Sequence, residues 1–265
     1  MKTLPLIKSD PWLKPFKEAI KGRYQFAYDT EKRLVGTGTL SDFACGHLYF
    51  GLHKTEEGWC FREWAPNATA IFLIGDFNQW KKQSEYALAN IGNGVWEIKL
   101  PEDALQHQQL YKMLVEWNGG SGERIPAWAT RVVQDEHTKI FSAQVWNPQK
   151  KFVFKKKRFK PTTDPLLIYE AHIGMSSNEE KVATYEEFRL NVLPRIKKGG
   201  YNCIQLMAIQ EHPYYGSFGY QVANFYALSS RFGTPEEFKA LVDEAHGLQV
   251  VALNVPVGLV GCEDD

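Results

Sequence analysis

The sequence predicts a multidomain α and β protein: an N-terminal helical segment, a β-sandwich of immunoglobulin-like type, and a half in which strands alternate with helices. Three observations predict it. Residues 1–46 carry apolar side chains at helical spacing. Residues 47–147 hold six short runs of β-branched and aromatic residues separated by Gly, Pro and Asn. From residue 164 to 265, apolar strand-like runs alternate with a helical period, after a basic linker over 148–163.

In the first segment, Asp10-Pro11 has the form of an N-cap followed by proline at the first helical position. Trp12, Phe16, Ile20, Tyr24 and Ala27 then recur on one face. Such a stripe is expected to pack on the body behind it rather than to bind a ligand. Gly36, Gly38 and Ser41 mark a loop before the strands.

The predicted strands are Leu48–Leu52, Gly58–Trp64, Ala70–Ile74, Gly94–Ile98, Leu110–Val115 and Ile140–Val145. Six strands in about 100 residues suggest a sandwich. Trp80 falls at a turn, after Gly75-Asp76-Phe77-Asn78-Gln79. An exposed indole there, beside amide and lysine side chains, can stack on the C–H face of a sugar; alternatively it plugs the sandwich edge. The linker, Lys150–Lys160, is basic with interleaved aromatics, and is expected to be a solvated edge strand.

Leu166–Met175, entered through Pro165 and interrupted by Gly174, has the form of a buried strand. Thr184-Tyr185-Glu186-Glu187 opens a helix through Phe188, Val192, Leu193 and Ile196 that ends at Gly199-Gly200. Cys203–Met207 is the next strand, so strand, helix and strand form a βαβ unit with parallel strands. Thr234, Pro235 and Glu237 form a capping box ahead of a second helix through Phe238, Leu241, Val242 and Ala245. A third strand follows His246-Gly247.

Composition excludes several classes. Lys+Arg and Asp+Glu both number 31, so no net field favours nucleic acid or an anionic membrane. The four cysteines lack CxxC spacing, and nothing else suggests a metal or cofactor. Without an apolar N-terminal leader or a run of roughly 20 apolar residues, a cytoplasmic location is the default.

The passage from Trp64 to Trp80 resembles the family 48 carbohydrate-binding module that precedes the catalytic barrel in glycogen and starch branching enzymes. The resemblance implies that Trp80, and Lys112 of the Tyr111-Lys112 pair, touch the glucan. Trp117 is the nearest tryptophan after that lysine, at a spacing that differs from the family's. Gly122–Arg131 also resembles the module, and implies that Trp128 and Arg131 serve contact between module and barrel.

Tyr169–Met175 resembles the first barrel strand of eukaryotic-type α-1,4-glucan branching enzymes of glycoside hydrolase family 13. Gln210–Val222 resembles the second βα loop, and Ser229–Glu237 the entry to the second helix. The implied fold is an incomplete (β/α)8 TIM barrel of about three βα units, because a whole barrel takes roughly 250 residues. Tyr220 takes the family's role of stacking platform for the sugar beside the scissile bond. Tyr214, Tyr215 and Phe218 either line the cleft or pack the loop, and His212 is expected to be structural. The third strand departs from the pattern: Asn254 or Val255 stands where the family has Asp, and Leu259 or a neighbour where it has His.

The family's nucleophile and acid, two carboxyl groups about 5 Å apart in retaining enzymes, come from later strands. No catalytic residue is therefore assigned. By resemblance, the family cuts an α-1,4-glucan and transfers the fragment into an α-1,6 branch. The chain alone is expected to bind α-1,4-glucan without that activity; the alternative is a non-catalytic glucan-binding fragment or decayed copy.

Overall fold

The Asp10 carboxylate accepts the Trp12 N–H at 3.0 Å, and this cap starts the first long helical stretch. In the computed structural model, which describes residues 5–156, 159–160, 164–207 and 209–254, a short α1 (Pro5–Ser9) precedes it. A 3-10 turn over Pro11–Phe16 then leads into α2 (Lys17–Val35). Gly36, at φ +59°, stops α2. Where a loop is expected, two further turns of helix follow, α3 (Leu40–Phe43) and α4 (Gly46–Tyr49). Thr39 and Asp42 form a reciprocal capping box that makes α3 possible. Trp12, Phe16 and Tyr24 are exposed, and α2 buries none of its residues. The chain divides into two compact units after Tyr49.

The second unit begins with nine strands: β1 (Gly51–Thr55), β2 (Gly58–Trp64), β3 (Ala68–Gly75), β4 (Ala89–Gly92), β5 (Val95–Leu100), β6 (Leu110–Trp117), β7 (Gly120–Arg124), β8 (Val132–Gln134) and β9 (Phe141–Gln144). They form two antiparallel sheets. One runs β1-β2-β5-β4; the other runs β3-β6-β9-β8, with β7 also paired to β6. Trp59, Phe61, Ile71, Leu73, Trp96, Ile98, Tyr111 and Met113 alternate inward and make one core. Three of these strands, β4, β7 and β8, lie outside the six predicted. The run predicted as Leu48–Leu52 starts later, at Gly51. That residue has φ +91°, and a Cβ on it would stand 2.8 Å from the Trp128 carbonyl oxygen.

The linker is no edge strand over 148–156. Phe154 packs on the following core, and the backbone N–H groups of Lys155 and Lys156 donate to the buried Asp243 carboxylate at 3.2 and 2.9 Å. Lys157 and Arg158 lie outside the described residues.

The remaining elements are β10 (Ile168–His172), α5 (Tyr185–Glu187), α6 (Leu193–Lys198), β11 (Cys203–Met207), β12 (Gln210–Glu211), β13 (Asn224–Leu228), α7 (Pro235–Gly247) and β14 (Val251–Asn254). Strands β10, β11 and β14 form a parallel sheet in that order, with Ile168 opposite Cys203 and Cys203 opposite Val251. Thr234 caps its helix in a box with Glu237, as the sequence predicts, and Thr184, expected as an N-cap, also forms a full box with Glu187. Between α5 and α6 the helix widens to a π-turn over Phe188–Val192, with the Leu193 N–H reaching Phe188 O. Pro194 has no N–H to give the α-ladder, which accounts for the shift. Ile173, Tyr185, Phe188, Leu206, Phe232, Phe238 and Leu241 are fully buried in this half's core. Asn254 lies opposite Leu206 in β14, and Val255 and Leu259 fall outside the described residues.

Sandwich and βα half share a seam. The Arg131 Nη1 donates to Gly233 O at 2.9 Å, its guanidinium lies over Trp146, and the Trp146 indole N–H donates to Glu236 at 2.8 Å. Among the described residues, no helix is long and apolar enough to cross a membrane.

Candidate functional site

The site grows from the end of β3. A Cβ on Gly75 would meet Leu110 O at 2.3 Å, so only glycine lets the chain turn this close to β6. Asn78 then folds its buried side chain back. Its Oδ1 accepts the Gly75 N–H at 2.9 Å and its Nδ2 donates to Leu73 O at 3.0 Å. These bonds hold Gln79 and Trp80 in the left-handed region, at φ +57° and +60°. The Trp80 N–H closes the loop on Gly75 O at 2.8 Å.

The Trp80 indole N–H donates to Asp76 Oδ1 at 3.0 Å, and Asp76 Oδ2 accepts the Leu110 N–H at 2.7 Å. The ring is thus fixed in orientation while 37% of the residue stays exposed. Lys112 stands opposite Ile74 in β6, on the face turned away from the core. Its Nζ lies 5.9 Å from the Trp80 ring centroid and 2.9 Å from Glu123 Oε2. The Lys82–Glu116 pair, at 2.6 Å, continues the same face, with Lys82 over the Phe72 ring. A flat aromatic surface with cations and carboxylates beside it suits a sugar, whose C–H face is apolar and whose rim is hydroxyl.

Trp117 does not join this group. It is an odd number of residues from Lys112 along a strand whose register with β7 is unbroken, so it points to the other face. There its ring lies on Gly120 and Gly122, with the Arg124 guanidinium 5.3 Å from its centroid.

Tyr220 stands apart, on the loop between β12 and β13, and is 80% exposed. Of the loop aromatics, Tyr215 and Phe218 pack edge-on against His172 with centroids 5.8 and 5.6 Å away, while Tyr214 is exposed. Phe232 closes the box at 5.6 Å. His172 caps the turn after β10, its Nδ1 accepting the Met175 N–H at 3.2 Å, and its Nε2 is buried without a partner. Burial, and then the neighbouring His212, push the His172 pKa below its ordinary value. His212 is fully buried and bonds through Nδ1 to Gln210 O at 2.9 Å, a structural histidine. Beside it, the buried Glu211 accepts the His212 and Ser230 N–H groups at 3.1 and 2.7 Å. No local pattern marks the His172 box, which joins residues from three separate elements. Among the described residues, no three His, Cys, Asp or Glu side chains gather as metal ligands.

Comparison with known proteins finds similarity over most of the chain. Residues 49–129 match carbohydrate-binding module 48 (isoamylase N-terminal domain). A 1,4-alpha-glucan-branching enzyme of Dictyostelium discoideum is 48% identical over 249 residues, 91% of this chain and 36% of the enzyme. That of Yarrowia lipolytica is 44% identical over 261 residues, covering 95% and 38%. Two solved structures share the fold over 77% of this chain. They are a pullulanase from Bacillus acidopullulyticus (TM-score 0.63, 17% identity, 29% of that chain) and the catalytic module of a glycogen-degrading pneumococcal virulence factor (0.59, 20%, 36%). The chain spans little more than a third of the length of the curated relatives it matches. Over the part that it spans, the chain is similar to the 1,4-alpha-glucan-branching enzymes, and within it residues 49–129 are similar to carbohydrate-binding module 48.

Proposed function

We propose that this chain binds α-1,4-glucan on the outward face around Trp80 and Lys112, as the glucan-holding part of an enzyme that forms α-1,6 branches by chain transfer. One observation carries the proposal: an indole locked by Asp76, with a lysine–carboxylate pair beside it. Stacking on a glucosyl ring contributes on the order of 1 kcal/mol beyond area burial, and the Lys112 ammonium and Glu123 carboxylate take hydroxyls.

The chain-transfer activity is supported by identity to branching enzymes of which this chain spans a minor part. We take β10, β11 and β14 as the first three strands of a (β/α)8 barrel, a reading supported by their parallel order and by their shared fold with the solved structures. Tyr220 is then the stacking platform at that barrel's open end. The domains we assign are the helical segment 1–46, the module 47–147, the linker 148–163 and the barrel part 164–265.

Native-gel electrophoresis through glycogen tests the binding site. Retardation of the parent, with a clear loss in Trp80→Ala and in Lys112→Ala, is the expected result. Equal retardation of Trp80→Ala and parent removes Trp80 from the site.

A further inference from the structure

We infer that Trp64 presents a second glucosyl-stacking platform, on the outward face of the other sheet, so that the sandwich grips a long or branched glucan at two places. The inference rests on the glucan reading above and extends it to a site of its own.

Along β2, Trp59 and Phe61 point into the core, and Trp64 ends the opposite face with 58% of its surface exposed. The other sandwich tryptophans that only fill space, Trp59 and Trp96, are 4% and 6% exposed. Exposure of Trp64 is not looseness. Its indole N–H donates to Asn93 O at 3.1 Å. Asn93 and Gly94 form the two-residue turn between β4 and β5, both at positive φ (+53° and +78°). Gly94 fits so closely that a Cβ there would stand 2.8 Å from the Pro66 Cβ and 3.1 Å from Trp64 Nε1. The turn thus fixes the ring without covering it.

The construction repeats that of the Trp80 site. In both places an indole gives its N–H to an acceptor within the protein and keeps ring surface in solvent. In both, a cation–carboxylate pair lies on the same outward face: Lys112–Glu123 at 2.9 Å there, Arg62–Glu97 at 2.6 Å here, two residues before Trp64 on β2. Such a pair has no net charge, which suits an uncharged polyol rather than a polyanion. Holding one polymer at two points multiplies its retention without any further contact, and leaves short oligosaccharides held at only one.

The test uses the 265-residue chain in glycogen gels, with a thermal melt of each variant. Trp64→Ala is expected to lower retardation at least threefold, the Trp64→Ala, Trp80→Ala pair more than either alone, and Trp64→Phe to restore most of it. Where Trp64→Ala melts early, Trp64→Leu keeps apolar bulk without a flat ring, and its retardation is read instead. Parent-like retardation of the folded Ala or Leu variant, with Trp80→Ala still impaired, overturns the second platform and leaves the first. An unretarded parent removes both readings.

Discussion

Trp128 lies stacked on Tyr226, ring centroids 4.3 Å apart and planes 21° from parallel, so an aromatic of the sandwich rests flat on one from β13. Phe50 stacks on Trp128 at 5.5 Å, and Asn224 of β13 donates to Pro126 O at 3.2 Å. With Arg131 and Trp146, these contacts make one seam between sandwich and βα half. Trp128→Ala is therefore expected to cost about 2–3 kcal/mol in urea unfolding, because Trp128 is half-buried rather than wholly so. Tyr226→Ala costs less, and the double variant loses less than the sum. Fully additive losses would mean that the two rings act separately.

Asn78 is the residue that shapes the Trp80 loop. Asn78→Ala leaves the Gly75 N–H and the Leu73 carbonyl without their partner, at about 2 kcal/mol. Gln79 and Trp80 also lose the support for their left-handed backbone. Both a lower melting temperature and weaker retention by glycogen are expected. Asn78→Asp keeps an acceptor for Gly75 and falls between the two. A destabilised Asn78→Ala that still binds glycogen like the parent would separate loop geometry from binding.

Acid should loosen the βα half through His172. Its folded pKa lies below the ordinary value of 6.5, chiefly because burial penalises the imidazolium. The unfolded chain therefore takes the proton first. Stability is full above about pH 6.5 and is lost as pH falls toward the folded value. Half-buried His246, its pKa lowered by desolvation, adds an effect of the same sign, partly offset by Asp243. The melting temperature should drop between pH 7.5 and 5.5. His172→Gln, which offers Met175 an acceptor but does not titrate there, should drop less. An identical pH slope in the variant would show that the proton goes elsewhere.

Which parts of this were legible in the sequence follows from how local each signal is. Thr184 with Glu187, and Thr234 with Glu237, act across three residues: the N-cap expected at Thr184 and the box expected at Thr234 both form. Strands β2, β3, β5 and β6 carry alternating core residues and were visible. Strand β4 is exposed throughout, β7 is Gly-rich, and β8 has only three residues, so none had an apolar period to show. Trp80 was recognisable as a tryptophan at a turn, but its left-handed backbone depends on Asn78 folding back. The side on which Trp117 lies is a matter of parity along β6, readable only once the strand is known to run unbroken.

The last prediction concerns chemistry: residues 1–265 on their own should bind amylose and glycogen without making branches. Retaining transfer needs a carboxylate nucleophile and a carboxylic acid about 5 Å apart across the glycosidic bond. In the βα half, several carboxylates are already committed to structure. Glu211 accepts two backbone N–H groups, and Asp243 holds the linker. Glu187 and Glu237 cap helices, and Glu236 takes the Trp146 N–H. Glu170 is the exposed one on β10, beside a 420 Å³ cavity that Arg195 and Tyr201 also line. A lone carboxylate there cannot serve as nucleophile and as proton donor to the leaving group. Tyr220 can orient a sugar, but orientation without these two groups forms no covalent intermediate. The iodine-complex absorbance of amylose should therefore stay at that of a protein-free control, while glycogen still retards the same preparation. New α-1,6 linkages, released by isoamylase digestion of the product, would overturn this and require that carboxylates among these residues come together on the substrate.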